Sequence, residues 1–276
     1  MSSLAPSLPE SAPRRPAPRR LALPGPGTAR GAAFGQIVLN EARLTWRRPV
    51  GLIAGVLLPV LLLVIFGELP SFHQALPQLG GLTLFDAYVP VLVVFSLAML
   101  ALLGLPIPLV SYRELGVLRR LSTTPVPPSW LLSAQGIIQL CAAMAALVVI
   151  FATAVAAFGA GAPKSPGGLV LSIAVSIAGL FPIGLLIAAV GRTANGASVI
   201  GRLAFFPLMF FAGLWLPRAL MPAVLQDISD YTPLGAEVQA IQDSMLQGFP
   251  PAAPLLVLAG YAVVFGFLAR RFFRWE

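Results

Sequence analysis

The sequence contains few of the residues that enzymes and metal sites require. Among its 276 residues are one cysteine, one histidine and one lysine, and only 10% of the residues are charged. Cys141 has no partner for a disulfide, and the lone His73 does not supply the several ligands that a zinc site needs. Soluble domains carry about 25% charged residues, whereas this chain is 58% hydrophobic. We therefore expect a lipid-embedded protein with no catalytic residues and no metal site.

Two further absences narrow the classes of membrane protein. No glycine-rich phosphate-binding loop is present, because Lys164 follows Ala162 and Pro163 instead of a glycine, so we expect no ATP hydrolysis by this chain. No apolar segment holds a pair of carboxylates, which disfavours a proton relay or a cation-coupled carrier. The net charge is +8. Its basic residues lie between apolar segments, which indicates contact with a membrane surface and not with nucleic acid.

Six apolar segments dominate the remaining sequence, and each approaches the ~20 residues that cross a hydrocarbon core. They cover residues 49–66, 88–110, 137–158, 169–190, 199–216 and 252–268. Lipid offers no partners for free backbone groups, so apolar runs without alternation are predicted to be helices. The fold class is therefore predicted to be all-α, a polytopic membrane protein with six transmembrane helices.

The distribution of charge predicts the orientation in the plasma membrane. Sixteen of the eighteen basic residues fall on one side of the predicted spans, and only Lys164 and Arg218 fall on the other. The positive-inside rule then places both termini in the cytoplasm. Residues 1–35, rich in proline and arginine, are expected to form a disordered cytoplasmic tail, and residues 36–276 the transmembrane domain. Residues 36–48 are predicted to form an interfacial helix, or alternatively a simple lead-in to the first span.

The predicted cytoplasmic connection between the second and third spans contains a short amphipathic pattern. Leu115, Leu118 and Leu121 recur at three-residue spacing and share a helix face beside Arg119 and Arg120. A short helix with such an apolar stripe is typical of a docking element. An amphipathic helix that rests on lipid is the alternative.

The outer connection at 217–251 is too long for an ordinary loop. It contains four apolar residues that share a helical face, with Glu237 and Asp243 off that face. These are Leu234, Val238, Ile241 and Met245. We predict short outer or re-entrant helices before the last span, with plain extracellular decoration as the alternative.

Two stretches carry a resemblance to a known family. The first reads Tyr-Arg-Glu-Leu-Gly-Val-Leu-Arg-Arg-Leu at 112–121, followed by Thr-Thr-Pro-Val at 123–126. The second surrounds the fifth span and includes Asn195, the phenylalanine-rich 205–211, Ala-Gly-Leu-Trp-Leu-Pro at 212–217, Met-Pro at 221–222 and Tyr-Thr-Pro-Leu at 231–234. Together they make residues 36–274 resemble the type-2 ABC exporter permease family, and most of all its drug and antibiotic-resistance branch. Polysaccharide and lipid exporters share the pattern.

The resemblance implies a permease subunit that is not itself an enzyme. ATP and Mg²⁺ would bind to a separate cytoplasmic ABC ATPase subunit, and this chain would bind no cofactor. A second permease half would complete the transporter, either as a homodimer or as a heterodimer with a sister chain. The first stretch would form the ATPase-coupling interface, through Arg113, Glu114, Leu115, Gly116, Leu118 and Arg119.

The resemblance also implies that the second and fifth spans line the substrate path. Four aromatic residues are then candidates for its hydrophobic wall, although contact with lipid or with other helices is the alternative. They are Phe205, Phe206, Phe210 and Phe211. The expected function is export of a hydrophobic or amphipathic substrate such as a drug, an antibiotic or a lipid. The alternatives are a secondary transporter or channel, and a membrane anchor or assembly protein without transport activity.

Overall fold

The computed structural model describes residues 26–47, 50–77, 81–117, 127 and 129–272. Ten α-helices have both ends within these ranges, and no β-strand occurs in them. The helices are α1 Pro26–Arg47, α2 Val50–Glu68, α3 Leu84–Met99, α4 Pro106–Glu114, α5 Ser129–Phe158, α6 Pro166–Val190, α7 Ala194–Phe211, α8 Ala223–Tyr231, α9 Pro233–Leu246 and α10 Ala252–Phe272. The prediction of an all-α protein is confirmed.

The apolar segments of the sequence coincide with these helices. Five helical stretches in the described ranges are long and apolar enough to cross a membrane: Leu84–Glu114, Ser129–Phe158, Pro166–Val190, Ala194–Phe211 and Ala252–Phe272. The first combines α3 and α4, and a shorter apolar helix, Ile53–Glu68, lies within α2. The chain is therefore a polytopic membrane protein, and its sixth apolar element is the shorter helix of the first predicted span.

Serine and threonine residues define where several of the helices begin. Thr83 forms a capping box with Asp86, since its hydroxyl accepts from the Asp86 N–H at 3.1 Å while the Asp86 carboxylate accepts from the Thr83 N–H. Ser165, Thr193 and Thr232 cap α6, α7 and α9 by accepting an N–H three residues later. Such caps satisfy N–H groups that a helix end leaves without partners.

The helix α3 forms the centre of the bundle and is buried along almost its whole length. It packs against α2, α5 and α9, while α6 and α10 pair along their lengths on one side. Gly179 allows α6 and α10 to approach closely, because a Cβ atom at this position would lie 3.1 Å from the Leu258 carbonyl oxygen. An apolar helix buried on all sides is expected at the centre of a membrane bundle.

A π turn at Leu100–Gly104 separates α3 from α4. Its wider backbone contacts two glycines on neighbouring helices: Gly184 of α6 faces the Ala101 carbonyl, and Gly201 of α7 faces the Leu102 carbonyl. Single π turns within helices occur frequently at functional sites. The two glycines allow α6 and α7 to approach this irregular turn closely.

The helix α1 is longer than predicted. It begins at Pro26, so residues 26–35, expected to be disordered, are helical, while residues 1–25 and Arg48 lie outside the described residues. One face of α1 packs against α5, where the Phe34 and Trp130 rings meet edge to face at 5.6 Å. Elsewhere on α1, Leu39 and Trp46 are exposed, as on an interfacial helix.

The predicted outer helices are α8 and α9. The four apolar residues expected to share a face of α9 are all buried. Glu237, expected off that face, is completely buried as well. Because α9 is covered on more than one side, spacing alone did not show which residues are exposed. Burial raises the pKa of Glu237 well above its ordinary value, because desolvation disfavours the carboxylate.

Candidate functional site

The end of α4 joins the ends of two other helices. The Arg113 guanidinium donates to the Gly191 carbonyl, directly after α6. The Glu114 carboxylate accepts from the N–H of Ala194, the first residue of α7, at 2.9 Å. A cation at a helix C-terminus and an anion at a helix N-terminus both match the partial charges of those ends. Movement of the α4 end is therefore linked to α6 and α7.

The helix α4 ends directly after this double contact. Leu115 is 70% exposed, and Gly116 has φ +67°, in the left-handed region that favours glycine. Leu118 and Arg119 of the predicted coupling interface lie outside the described residues. Of the other four residues, Arg113 and Glu114 contact the bundle, and Leu115 is largely exposed at the edge of a cavity between α1, α2, α4 and α5. Their contact with an ATPase stays a prediction.

The four phenylalanines proposed for the substrate wall lie in three different environments. Phe205 is buried and meets Phe95 of α3 edge to face at 5.4 Å. Phe206 is 56% exposed and lies 6.2 Å from the Trp215 ring. Phe210 and Phe211 are half-buried and pair with each other at 5.5 Å. Phe205 therefore belongs to the packed core, and Phe206 has the most open surface of the four.

A cavity of about 580 Å³, not anticipated from the sequence, lies between α1, α2, α4 and α5. Gln135 and Gln139 of α5 line it and are 1% and 3% exposed. Two glutamines four residues apart share one face of a helix. Their position at the start of an otherwise apolar span is the sequence signal that would have pointed to a buried polar site.

Comparison with known proteins identifies this arrangement of helices. Residues 32–246, which extend from α1 to the end of α9, match the sequence profile of the ABC-2 type transporter. The chain belongs to the ABC-2 type transporter family. It is similar to the transport permease ycf38 of Porphyra purpurea, at 26% identity over 202 residues that cover 71% of this chain and 68% of the relative. The transport permease ycf38 of Pyropia yezoensis is also 26% identical over 202 residues, covering 70% and 67%.

Membership of the ABC-2 family makes this chain a membrane permease subunit, and it agrees with the resemblance found in the sequence. The matched region includes the α4 end, the cavity and the phenylalanines of α7. The helix α10 follows the matched region but packs along α6 within the same bundle. The parts of the molecule that carry candidate functions therefore all lie within the ABC-2 region.

Proposed function

We propose that this ABC-2 permease is the membrane-spanning subunit of an ABC exporter. It pairs with a second permease half, identical or related, and with separate cytoplasmic subunits that hydrolyse ATP. ATP-driven closure of those subunits pushes on the segment after α4 and converts the bundle from inward-facing to outward-facing. The substrate is a hydrophobic or amphipathic molecule, such as a drug, an antibiotic or a lipid.

The double contact made by Arg113 and Glu114 is the observation that carries this proposal. A force applied to the segment after α4 reaches the end of α6 through Arg113 and the start of α7 through Glu114. Both are long apolar helices. The same two helices also contact the π turn before α4 through Gly184 and Gly201. A force on the end of α4 therefore reaches α6 and α7, which also contact the start of α4.

The exposed side chain of Leu115 supports a docking role for the same segment. Full burial of a leucine stabilises a contact by about 1.5–3 kcal/mol, and this side chain is 70% exposed without a partner subunit. Docking of an ATPase on Leu115 therefore gains apolar burial immediately beside the Arg113 and Glu114 contacts.

The helix α7 supports a path for apolar molecules. Val199, Leu203 and Phe206 are all exposed along one side of this helix, at spacings of four and three residues that place them on one face. The face carries no carboxylate, and the one cation that borders it, Arg202, is bonded to Ser198, so its apolar part suits contact with an apolar substrate or with the second permease half.

Co-purification of the ATPase with the tagged permease tests the proposal. Leu115→Asp introduces a carboxylate at the docking position and should release most of the bound ATPase while the permease itself still inserts. Leu39→Asp is the matched control, because Leu39 is a similarly exposed leucine on α1, and it should retain the ATPase. Equal retention of ATPase by the two variants, together with unchanged transport, would show that this segment does not couple ATP hydrolysis to the permease.

A further inference from the structure

The cavity between α1, α2, α4 and α5 is large enough to hold a small organic molecule. Its volume of about 580 Å³ lies within the roughly 300–1,000 Å³ typical of ligand pockets. The walls combine the π turn and α4 on one side with α5 and the end of α1 on the other. The cavity therefore lies within one chain, where α1 covers the bundle.

Three amide atoms of two buried glutamines in this cavity lack hydrogen-bond partners. Within the described ranges, neither amide atom of Gln135 nor the Oε1 of Gln139 has a hydrogen-bond partner. Buried polar groups in native proteins are nearly always hydrogen-bonded, so an unpaired pair at one site calls for an explanation. Both side chains line the cavity, and a small rotation that turned their amides toward a ligand there would give them the bonds that the protein does not supply.

The remaining lining indicates the chemistry of that ligand. None of the described lining residues carries a charge. The Thr45 hydroxyl donates to the Glu41 carbonyl at 2.8 Å, which leaves its oxygen free to accept a further bond. Leu44, Leu103 and Ile107 supply apolar walls. An ionised ligand would lose its hydration here without gaining a counter-charge, whereas a neutral polar group with an apolar chain fits both parts of the lining.

One side of the cavity is closed by a contact between helices. The Tyr112 hydroxyl, at the lining, donates to the Glu41 carboxylate of α1 at 2.6 Å. Glu41 is itself buried, so this bond fixes α1 against α4. The cavity is therefore a built feature of the fold and does not result from loose packing of α1.

We propose that this cavity binds a neutral amphiphile that carries an amide, or a hydroxyl beside a carbonyl. Its polar group bonds to Gln135 and Gln139, and its apolar chain packs against Leu103 and Ile107. Such binding would give the proposed exporter a substrate class and a site. The role of the cavity in transport therefore rests on the proposed function. The binding itself rests on the cavity alone.

Photolabelling of the purified full chain in lipid nanodiscs, without ATPase or ATP, tests the proposal. The probe is dodecanamide with a diazirine at the chain end. Two matched probes keep the chain and the diazirine but carry a carboxylate or no polar group. We expect the amide to label peptides of α1, α4 and α5 that line the cavity, and the other two probes to label them at least about fivefold less, since each hydrogen bond to a neutral group contributes about 1 kcal/mol.

The double variant Gln135→Leu with Gln139→Leu identifies the groups that bind. It keeps the side-chain volume close to that of wild type and removes three buried amide atoms that have no hydrogen-bond partner, so the protein should remain about as stable in a thermal melt. Amide labelling of the cavity peptides should fall about tenfold. Gln247→Leu, an exposed position after α9, is the control and should label as wild type does. Equal labelling by the amide and the hydrocarbon probe, or no change in the folded double variant, would overturn the proposal.

A competition arm separates the two sources of such a ligand. Displacement of the amide by neutral lipids extracted from the host membrane identifies the occupant as a lipid. Resistance to those lipids with displacement by a transported compound identifies it as a solute, and either result retains the site. Because no ATPase is present, intact labelling alongside failed ATP-driven transport would refute the exporter function but not the site. Loss of amide-specific labelling alongside intact ATP-driven transport would refute only the site.

Discussion

Gly201→Ala is expected to destabilise the permease by disturbing the packing around the π turn. An ideal Cβ at this position of α7 would lie 2.5 Å from the Leu102 carbonyl oxygen. The neighbouring Leu103 side chain, at 2.8 Å, is able to rotate away, but the carbonyl belongs to the backbone of the π turn. The turn or α7 must therefore retreat to accommodate a methyl group.

The size of the effect follows from that distance. A retreat of about 0.5 Å reaches only the shortest contacts that real Cβ atoms make, and overpacking of this kind costs about 1–3 kcal/mol. The gain in helix propensity from glycine to alanine offsets at most about 1 kcal/mol. We therefore expect a net loss of about 1–2 kcal/mol, which corresponds to a fall of about 2–8 °C in the melting temperature for a chain of this size.

Thermal unfolding of the purified permease in detergent measures this loss. Gly260→Ala is the matched control, because it adds the same methyl group to α10, where no atom beyond the adjoining residues and backbone of its own helix lies within 4 Å of the new Cβ. The control should melt at the wild-type temperature or slightly above it. If Gly201→Ala and Gly260→Ala melt at the same temperature, the close approach of α7 to the π turn is not a feature of the folded protein.

Three further predictions concern coupling, pH and orientation. Glu114→Gln weakens the cap on Ala194 by no more than about 1 kcal/mol, so the variant should fold and bind the ATPase but transport less substrate per ATP hydrolysed; unchanged coupling would contradict the proposed force path. Burial raises the pKa of Glu41, although the hydrogen bond from the Tyr112 hydroxyl opposes the shift. The contribution of Glu41 to stability is therefore full below the ordinary pKa of 4.5 and is lost as pH rises through the raised pKa. Glu41→Gln should flatten the dependence of melting temperature on pH over that range, and a slope equal to that of wild type would contradict this. In a background of Cys141→Ala, an impermeant thiol reagent added to intact cells should label Lys164→Cys and not Thr193→Cys; the reverse pattern would invert the predicted orientation.

The apolar pattern of the sequence was sufficient to predict the helices but not all of their boundaries. Lipid requires helices wherever long apolar runs occur, so the spans at 169–190 and 252–268 closely match α6 and α10. The helix α5 begins at Ser129, before the predicted 137, because its first turns mix polar and small residues with apolar ones while α1 packs against them. Hydropathy alone does not predict helical turns that contain polar residues and are stabilised by packing against another helix.

The sequence indicated the end of α4 as a site but not its contacts. The resemblance placed Arg113 and Glu114 at an interface with a separate subunit, whereas in the structure both contact the α6–α7 connection, about 80 residues away in the chain. The cavity was missed for a related reason. Its lining comes from four separate helices, and only Gln135 and Gln139 leave a local pattern in the sequence.

The central claim is that ATP, and not an ion gradient, drives transport through this permease. The direct measurement is uptake of a lipophilic fluorescent dye by inside-out membrane vesicles that contain the permease and its ATPase, with and without a protonophore. The account predicts uptake that requires hydrolysable ATP, resists the protonophore and is lost with Leu115→Asp but not with Leu39→Asp. Uptake that proceeds without ATP and collapses with the protonophore would contradict it and would favour a secondary transporter.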